Sequence, residues 1–321
     1  MAKIVSLGET MGLITSTNVE RLASKSTMVA GFGGAEANCA VALARLGNSV
    51  SWIGGVGNDD FAEMIKKGLL GEGINVYAIE KPFPTGLMIK TRPYGDRLNV
   101  IYFRKEGAAA HTAPEDIPVD IIKEAELLHF TGISLALSDS SRATSLHALE
   151  IARESGAQVS FDMNFRSKLW GESQASKSFR GVVPQVDYLF AGVSEAALAI
   201  DGDLVPGDCS ESEVHRLLGA LREMGAKEPV IKEGVRGAWA FDGDEIIHLP
   251  AKKVEVIDSV GAGDGFAAGY LSARLSNQTV QDALELGVKI GAFACLSSGD
   301  WEGYPTSDEL ESLDTFEKVN R

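Results

Sequence analysis

Only three cysteines, Cys39, Cys209 and Cys295, stand in 321 residues, far apart and odd in number. That scarcity excludes a disulfide framework, and their separation argues against a zinc site. It predicts a reducing, cytoplasmic setting. No apolar run reaches the ~18 residues of a membrane span, so no membrane partner is expected. The opening Met-Ala-Lys-Ile-Val-Ser-Leu-Gly lacks the long apolar stretch and cleavage site of a secretory leader and reads as a first strand. Basic residues are in short supply, 30 Lys+Arg against 45 Asp+Glu, for a net charge of −15. This argues against a nucleic-acid partner. It also means that an anionic ligand needs local cations, N–H groups or a metal. Internal repeats and low-complexity linkers are absent as well. Apolar content is 45%, enough for one large α/β domain over 1–321 to hold a core without staples.

What is present is alternation. Lys3–Leu7, Ser51–Ile53, Leu127–Phe130, Gln158–Phe161, Tyr188–Phe190 and Pro229–Lys232 read as strands, several apolar enough for burial on both faces. Glu36–Leu46, Phe61–Gly71, Arg142–Glu154, Glu211–Met224, Gly265–Leu275 and Val280–Leu296 read as helices. The pattern predicts a three-layer α/β/α fold around a mainly parallel sheet. Two segments depart from it, about 10–30 and 84–104, the second folding around a Pro93-Tyr-Gly-Asp96 turn. They predict a small projecting β-sheet that covers the site as a lid. Its exposed edges invite pairing with another copy, so a homo-oligomer through the lid is expected.

Asp258-Ser-Val-Gly-Ala-Gly-Asp264, followed at once by the apolar stretch Phe266–Leu275, carries the most chemistry. Glycines let successive N–H groups turn inward as an anion nest, and a helix start adds partial positive charge there. Gly261, Ala262 and Gly263 would hold a transferring phosphoryl group, with Asp264 beside it. Read alone, the run is also an ordinary capped glycine turn. Gly31-Phe-Gly-Gly-Ala-Glu-Ala-Asn38 leads into a helix. Gly33 and Gly34 leave room for a polar ligand, and Asn38 can bond a hydroxyl. Glu36 stands where a dinucleotide fingerprint needs its third glycine. Ser160-Phe-Asp-Met-Asn-Phe-Arg166 runs off the end of a strand, where open α/β sheets bind ligands. Arg166 offers a forked grip on a carboxylate or phosphate, and Asn164 can hold a phosphate or a metal-bound water. Tyr102 and Arg104 share one strand face. Gly234 and Gly237 in Lys232-Glu-Gly-Val-Arg-Gly237 suit a tight loop against a nucleotide, or a plain hairpin turn.

In this order, Gly-Gly-x-x-x-Asn, Asp-x-Asn-x-Arg and Asp-x-x-Gly-Ala-Gly-Asp resemble the ribokinase-like sugar kinases of the PfkB family, over about residues 3–300. The resemblance implies ATP-dependent transfer to a sugar hydroxyl with Mg²⁺, on a Rossmann-like domain with a β lid. Within the family, Gly33–Asn38, Tyr102-Phe-Arg104 and Asn164-Phe-Arg-x-x-Leu-Trp170 look like the blocks of 2-keto-3-deoxygluconate kinases. Fructokinases and other PfkB sugar or riboside kinases are the alternatives. A non-catalytic sugar-sensing homologue is a more remote one. The resemblance implies that Gly34, Tyr102, Arg104 and Arg166 contact a sugar acid. It implies that Asn164, Ser194, Lys232, Gly234 and Gly237 lie along ATP, with Ala292 and Ser298 flanking the adenine. The family usually carries Asn-x-x-Glu after the next strand, and Ser194-Glu-Ala-Ala197 lacks both residues. No side chain is therefore assigned as a direct metal ligand.

The expected chemistry has Asp264 accept the proton of the substrate's terminal hydroxyl and align that oxygen with the γ-phosphorus. The helix start is expected to keep Asp264 ionised and a weak base. Phosphoryl transfer tolerates that, because alignment matters more than basicity. Two arginines, Arg104 and Arg166, converging on one ligand predict a carboxylate-bearing sugar.

Overall fold

The computed structural model describes residues 2–94, 97–207 and 209–313. Short runs such as Lys-Ile-Val-Ser-Leu and Leu-Leu-His-Phe-Thr are buried on nearly every residue, which only a strand covered on both faces permits. The strands are β1 (Lys3–Leu7), β2 (Met11–Val19), β3 (Met28–Gly33), β4 (Ser49–Val56), β5 (Asn75–Glu80), β6 (Leu87–Tyr94) and β7 (Arg97–Phe103). Further along follow β8 (Leu127–Thr131), β9 (Gln158–Asp162), β10 (Tyr188–Gly192), β11 (Glu228–Lys232), β12 (Ala238–Asp242) and β13 (Glu245–Leu249). Among the described residues, nine of these form one sheet in the order β13-β12-β11-β10-β9-β8-β1-β4-β5. Pairing is parallel from β5 to β11, and β12 and β13 add an antiparallel edge. From β1 the chain builds outward first through β4 and β5, then the other way from β8. The β1/β8 boundary is thus a switch point, where loops diverge and leave a crevice past the strands' C-terminal ends.

The helices are α1 (Ala35–Arg45), α2 (Asp60–Gly71), α3 (Val119–Lys123), α4 (Gly132–Leu137), α5 (Asp139–Ser155), α6 (Glu172–Val182), α7 (Val193–Ile200), α8 (Glu211–Glu223), α9 (Ala262–Leu275) and α10 (Val280–Ala294). Leu43, Ile65, Tyr270 and Leu284, from α1, α2, α9 and α10, share a core with Trp52 and Phe190 of the sheet. Leu149, Phe179, Leu198 and Leu218, from α5 to α8, share the other with Phe130 and Phe161. Side-chain caps begin several of these helices: Asp59 accepts from Ala62 N at 2.9 Å, and Ser138 from Ser141 N at 2.9 Å. Burial in the sheet pushes the His129 imidazole down to about 4. It is therefore neutral, and Nδ1 lies 3.0 Å from Ser160 Oγ. Among the described residues no helix is long and apolar enough to cross a membrane.

The remaining four strands form a second sheet in the order β3-β2-β6-β7, with β2 and β6 parallel. Met11, Leu13 and Met88 are buried together on one face, with Val100 against them. The alternation of the main layers and the existence of this sheet agree with the sequence reading. Gly95 and Asp96 of the expected turn lie outside the described residues. Two strands, β5 and β13, went unread. β5, Asn-Val-Tyr-Ala-Ile-Glu, carries only half-buried or exposed residues. β13 follows β12 across a two-residue turn and carries only half-buried or exposed residues.

Candidate active site

Four of the parallel strands, β1, β9, β10 and β11, deliver a charged residue to one cavity at or soon after their C-terminal ends. Glu9 follows β1, Asp162 ends β9 with Asn164 behind it, Glu195 opens α7 after β10, and Lys232 ends β11. With Gly34, Asn38, Ser259, Val260, Gly261, Gly263, Asp264 and the inner face of the small sheet, they line a cavity of about 960 Å³. That is at the upper end of the range for small-molecule and cofactor sites.

Asp264 sits in the first turn of α9, half-buried. Asn38 Nδ2 donates to its Oδ2 at 2.8 Å, and Asn164 Nδ2 faces its Oδ1 at 3.4 Å. Two amides on different elements thus aim one carboxylate. Asn164 reaches it from a left-handed backbone, φ 41°, which Asn tolerates better than most residues. The carboxyl pKa is pushed up to about 7. Burial is the largest cause; the Asn38 hydrogen bond opposes it, Asp162 reinforces it, and Lys232 and Arg166 oppose it. This corrects the expectation of a fully ionised, weak base. Desolvation and a neighbouring carboxylate outweigh the helix start.

Gly261 caps α9 with φ 79°, and a Cβ there would run into the Asp300 carbonyl. Glycine is required on both counts. Gly261 and Gly263 line the cavity, whereas Ala262 does not. Ala262 N turns back to Ser259 O at 3.3 Å, so its N–H is not aimed at a ligand as expected. At Gly34 a Cβ would meet the Glu9 carbonyl and Thr10 Cα, so that glycine lets α1 start against the first strand. Gly33 is packed on the Asp300 side chain and leaves no room for a ligand; it does not line the cavity.

Lys232 Nζ donates to Asp162 Oδ2 at 2.5 Å. Burial alone would drive its proton off, but Asp162, Glu195 and Asp264 outweigh that and raise its pKa. A Cβ on Gly263 would lie 3.5 Å from Nζ, so the ammonium abuts the glycine loop. Asp162 Oδ1 and Asn164 Oδ1 are buried with no partner. Glu195 accepts Phe165 N at 2.7 Å and Gly192 N at 2.6 Å. Burial raises its pKa, Asp162 adds to that, and Lys232 opposes. Counted from the end of β10, Gly192-Val-Ser-Glu195 has the Asn-x-x-Glu spacing with Gly in the place of Asn. Ser194 lines the cavity and donates Oγ to Val205 O.

Tyr102 and Arg104 both line the cavity from the small sheet. Arg104 is not a free cation, because it pairs with the buried Glu9. Burial raises the Glu9 pKa and Arg104 opposes it. Arg166 is exposed at the rim, donates to Phe165 O at 3.1 Å and makes no ion pair among the described residues. Two arginines therefore do not converge unpaired. Gly234 and Gly237 lie off the cavity wall; Gly237 instead packs on Leu249 O and Pro250. Ala292 is buried in α10, and Ser298 lines a separate groove beside β2 and β3. Trp170 belongs to the core, edge-on to Phe179 at 5.5 Å.

Among the charged wall residues that sequence reasoning missed are Glu9, Glu36, Lys90 and Asp300. Glu9 could have been found by the strand-end rule that marked Asp162. Glu36 Oε1 accepts Thr131 Oγ1 and Ser134 Oγ, each at 2.8 Å. Lys90 of β6 and Asp300, in the segment after α10, form a buried ion pair, a juxtaposition with no local signal. The wall carries Glu9, Glu36, Asp162, Glu195, Glu233, Asp264 and Asp300 against Lys90, Arg104, Arg166 and Lys232. An anionic ligand therefore needs further positive charge to enter.

The sequence pattern of the pfkB family carbohydrate kinases matches residues 1–307. This chain belongs to that family. The carbohydrate kinase is 33% identical to 2-dehydro-3-deoxygluconokinase of Bacillus subtilis, over 96% of this chain and 94% of that one. It is 31% identical to 2-dehydro-3-deoxygalactonokinase of Haloferax volcanii, over 97% and 96%. Its fold superposes on a solved PfkB protein from Polaromonas at a TM-score of 0.82, with 29% identity, 98% coverage of this chain and 100% of the other. The solved 2-dehydro-3-deoxygluconokinase of Thermotoga maritima gives a TM-score of 0.89, at 22% identity and 98% of each chain. The kinase therefore has the ribokinase-like α/β architecture with an accessory sheet.

Proposed function

We propose that this kinase transfers the γ-phosphoryl group of ATP to the terminal hydroxyl of 2-keto-3-deoxygluconate, giving the 6-phosphate. One observation carries the reading: Asp264 is aimed by Asn38 and Asn164 beside a glycine loop at the start of a long helix. A carboxyl near 7 is a better-matched base than an ordinary aspartate. It takes the hydroxyl proton while Gly261 and Gly263 offer backbone to the transferring group. Residues 1–321 act as one domain, with the small sheet as lid.

Magnesium fits the donors present. Such an ion is held mainly by phosphates and water, with one or two protein oxygens near it. Asp162 and Asn164, each with an unpartnered buried oxygen, would hold its waters, with Glu195 behind them. Bound with ATP, it supplies the positive charge that the acidic wall lacks.

The sugar-acid substrate is supported by Arg166, a rim cation without a carboxylate partner, and by the relatives' specificity. The galactonate epimer is the second reading, favoured by the Haloferax volcanii relative. Ile101 and Phe103 stand exposed, 54% and 58%, on the lid face opposite Tyr102. They support lid-to-lid assembly of two copies, which sedimentation of wild-type protein against Phe103→Asp would test. Three free cysteines support a cytoplasmic location. An ADP-release assay with 2-keto-3-deoxygluconate, its galactonate epimer and fructose tests the function. The expected order of kcat/KM places either acid above fructose by at least tenfold; a preference for fructose overturns the carboxylate argument.

A further inference from the structure

Two cations of the lid strand β6, Lys90 and Arg92, reach across to acids that bracket the glycine loop. Being two residues apart in a strand, they point to the same face. Lys90 Nζ pairs with Asp300 Oδ1, both about 95% buried. Arg92 Nη2 lies 3.5 Å from Asp258 Oδ2, with Arg92 23% exposed and Asp258 6%. Asp258 opens the loop, and its Oδ1 accepts Val260 N at 3.1 Å. Asp300 closes it from behind, since its carbonyl is the atom that a Cβ on Gly261 would strike. Tyr304 Oη then donates to Gly261 O at 2.7 Å. The lid and the loop thus meet at two ion pairs, and at Gly33 of β3, which packs on the Asp300 carboxylate.

Buried acids left without these cations would repel a polyphosphate. They would also lose the partners that fix their rotamers, and with them the shape of the loop. We infer that Lys90 and Arg92 are positioning residues that make the shape and charge of the phosphate loop depend on the seating of the lid strand. Neither needs to touch a substrate. Lys90 acts through Asp300 on Gly261, and Arg92 through Asp258 on Val260. The inference rests on the reading of this loop as the phosphate site.

Binding of Mg·AMP-PNP to the full chain, followed by titration calorimetry, tests it apart from turnover. Lys90→Met and Arg92→Gln each raise the Kd for this nucleotide at least about fivefold, the low end of ordinary inter-site coupling. The double variant Lys90→Met/Asp300→Asn, which removes the uncompensated acid, recovers at least half of the loss in log Kd. Guanidinium at millimolar concentration partly restores Arg92→Gln. Arg92 is partly exposed, so its variant keeps the wild-type melting temperature even where Lys90→Met does not. Unchanged nucleotide Kd in Arg92→Gln overturns the inference, as does a double variant weaker than Lys90→Met. A wild-type protein that binds Mg·AMP-PNP but phosphorylates no sugar defeats the proposed function and leaves this measurement decisive. Absence of nucleotide binding defeats both.

Discussion

Replacing Asp264 by Asn separates catalysis from stability, because the same burial that prepares the base destabilises its charged form. Its pKa moves from an ordinary 3.8 to about 7 on folding. At 1.36 kcal/mol per unit, about three units correspond to about 4 kcal/mol as an upper bound. The side chain is only half-buried, so solvent screening reduces this to about 2 kcal/mol. The new amide cannot accept from both Asn38 and Asn164, and losing the longer contact costs about 1 kcal/mol. A net gain of about 1 kcal/mol remains, or about 1–2 °C in Tm for a chain of this size. The sign follows from the raised value: folding favours the acid form and penalises the carboxylate. The penalty is absent below about pH 4, grows through the interval and is complete above about pH 7. Asp264→Asn therefore melts with the wild type, or slightly below it, at pH 4, and above it at pH 8, while kcat falls roughly 10²–10⁴-fold. Calorimetric scans from pH 4 to 8, paired with ADP release, provide the check. A Tm difference independent of pH, or turnover within tenfold of wild type, refutes the reasoning.

Wild-type kcat/KM falls with decreasing pH through about 7, as Asp264 takes up its proton in the free enzyme; a flat profile from pH 6 to 8 would contradict the base assignment. Gly261→Ala meets both a left-handed φ of 79° and the Asp300 carbonyl. It should lower Tm by several degrees and abolish measurable transfer, read by calorimetry and ADP release. Arg166→Ala raises KM for the sugar acid by about tenfold or more, the weight of a charge-assisted hydrogen bond. Its kcat/KM for fructose, which lacks the carboxylate, stays within about twofold. Glu195→Gln loses one of two strong acceptors for Gly192 N and Phe165 N. The turn carrying Asn164 and Arg166 loosens, and the magnesium concentration for half-maximal rate rises about threefold or more, as a titration of rate against Mg²⁺ would show.

Local patterns made most of the frame readable. Doubly covered strands declare themselves by unbroken apolar runs, and Asp258–Asp264 declares a glycine turn opening a helix. Strand-end polarity marked Asp162, Asn164 and Arg166. Half-buried β5 lacked such a run and went unread. What Glu195 holds, Phe165 N thirty residues away and Gly192 N, was not visible in the sequence. Gly237 and Ala292 carried the right residue type, but they pack inside the protein instead of facing the cavity.

Composition, alternation and glycine spacing, all properties of neighbouring residues, determined the α/β class, the accessory sheet and the Asp264 loop. Only the tertiary structure decided what each charge does. It paired Arg104 with Glu9 and Lys90 with Asp300 across large stretches of chain, and it raised Asp264 towards neutrality. Desolvation and Coulomb energy depend on distances between residues remote in sequence. No reading along the chain contains those distances.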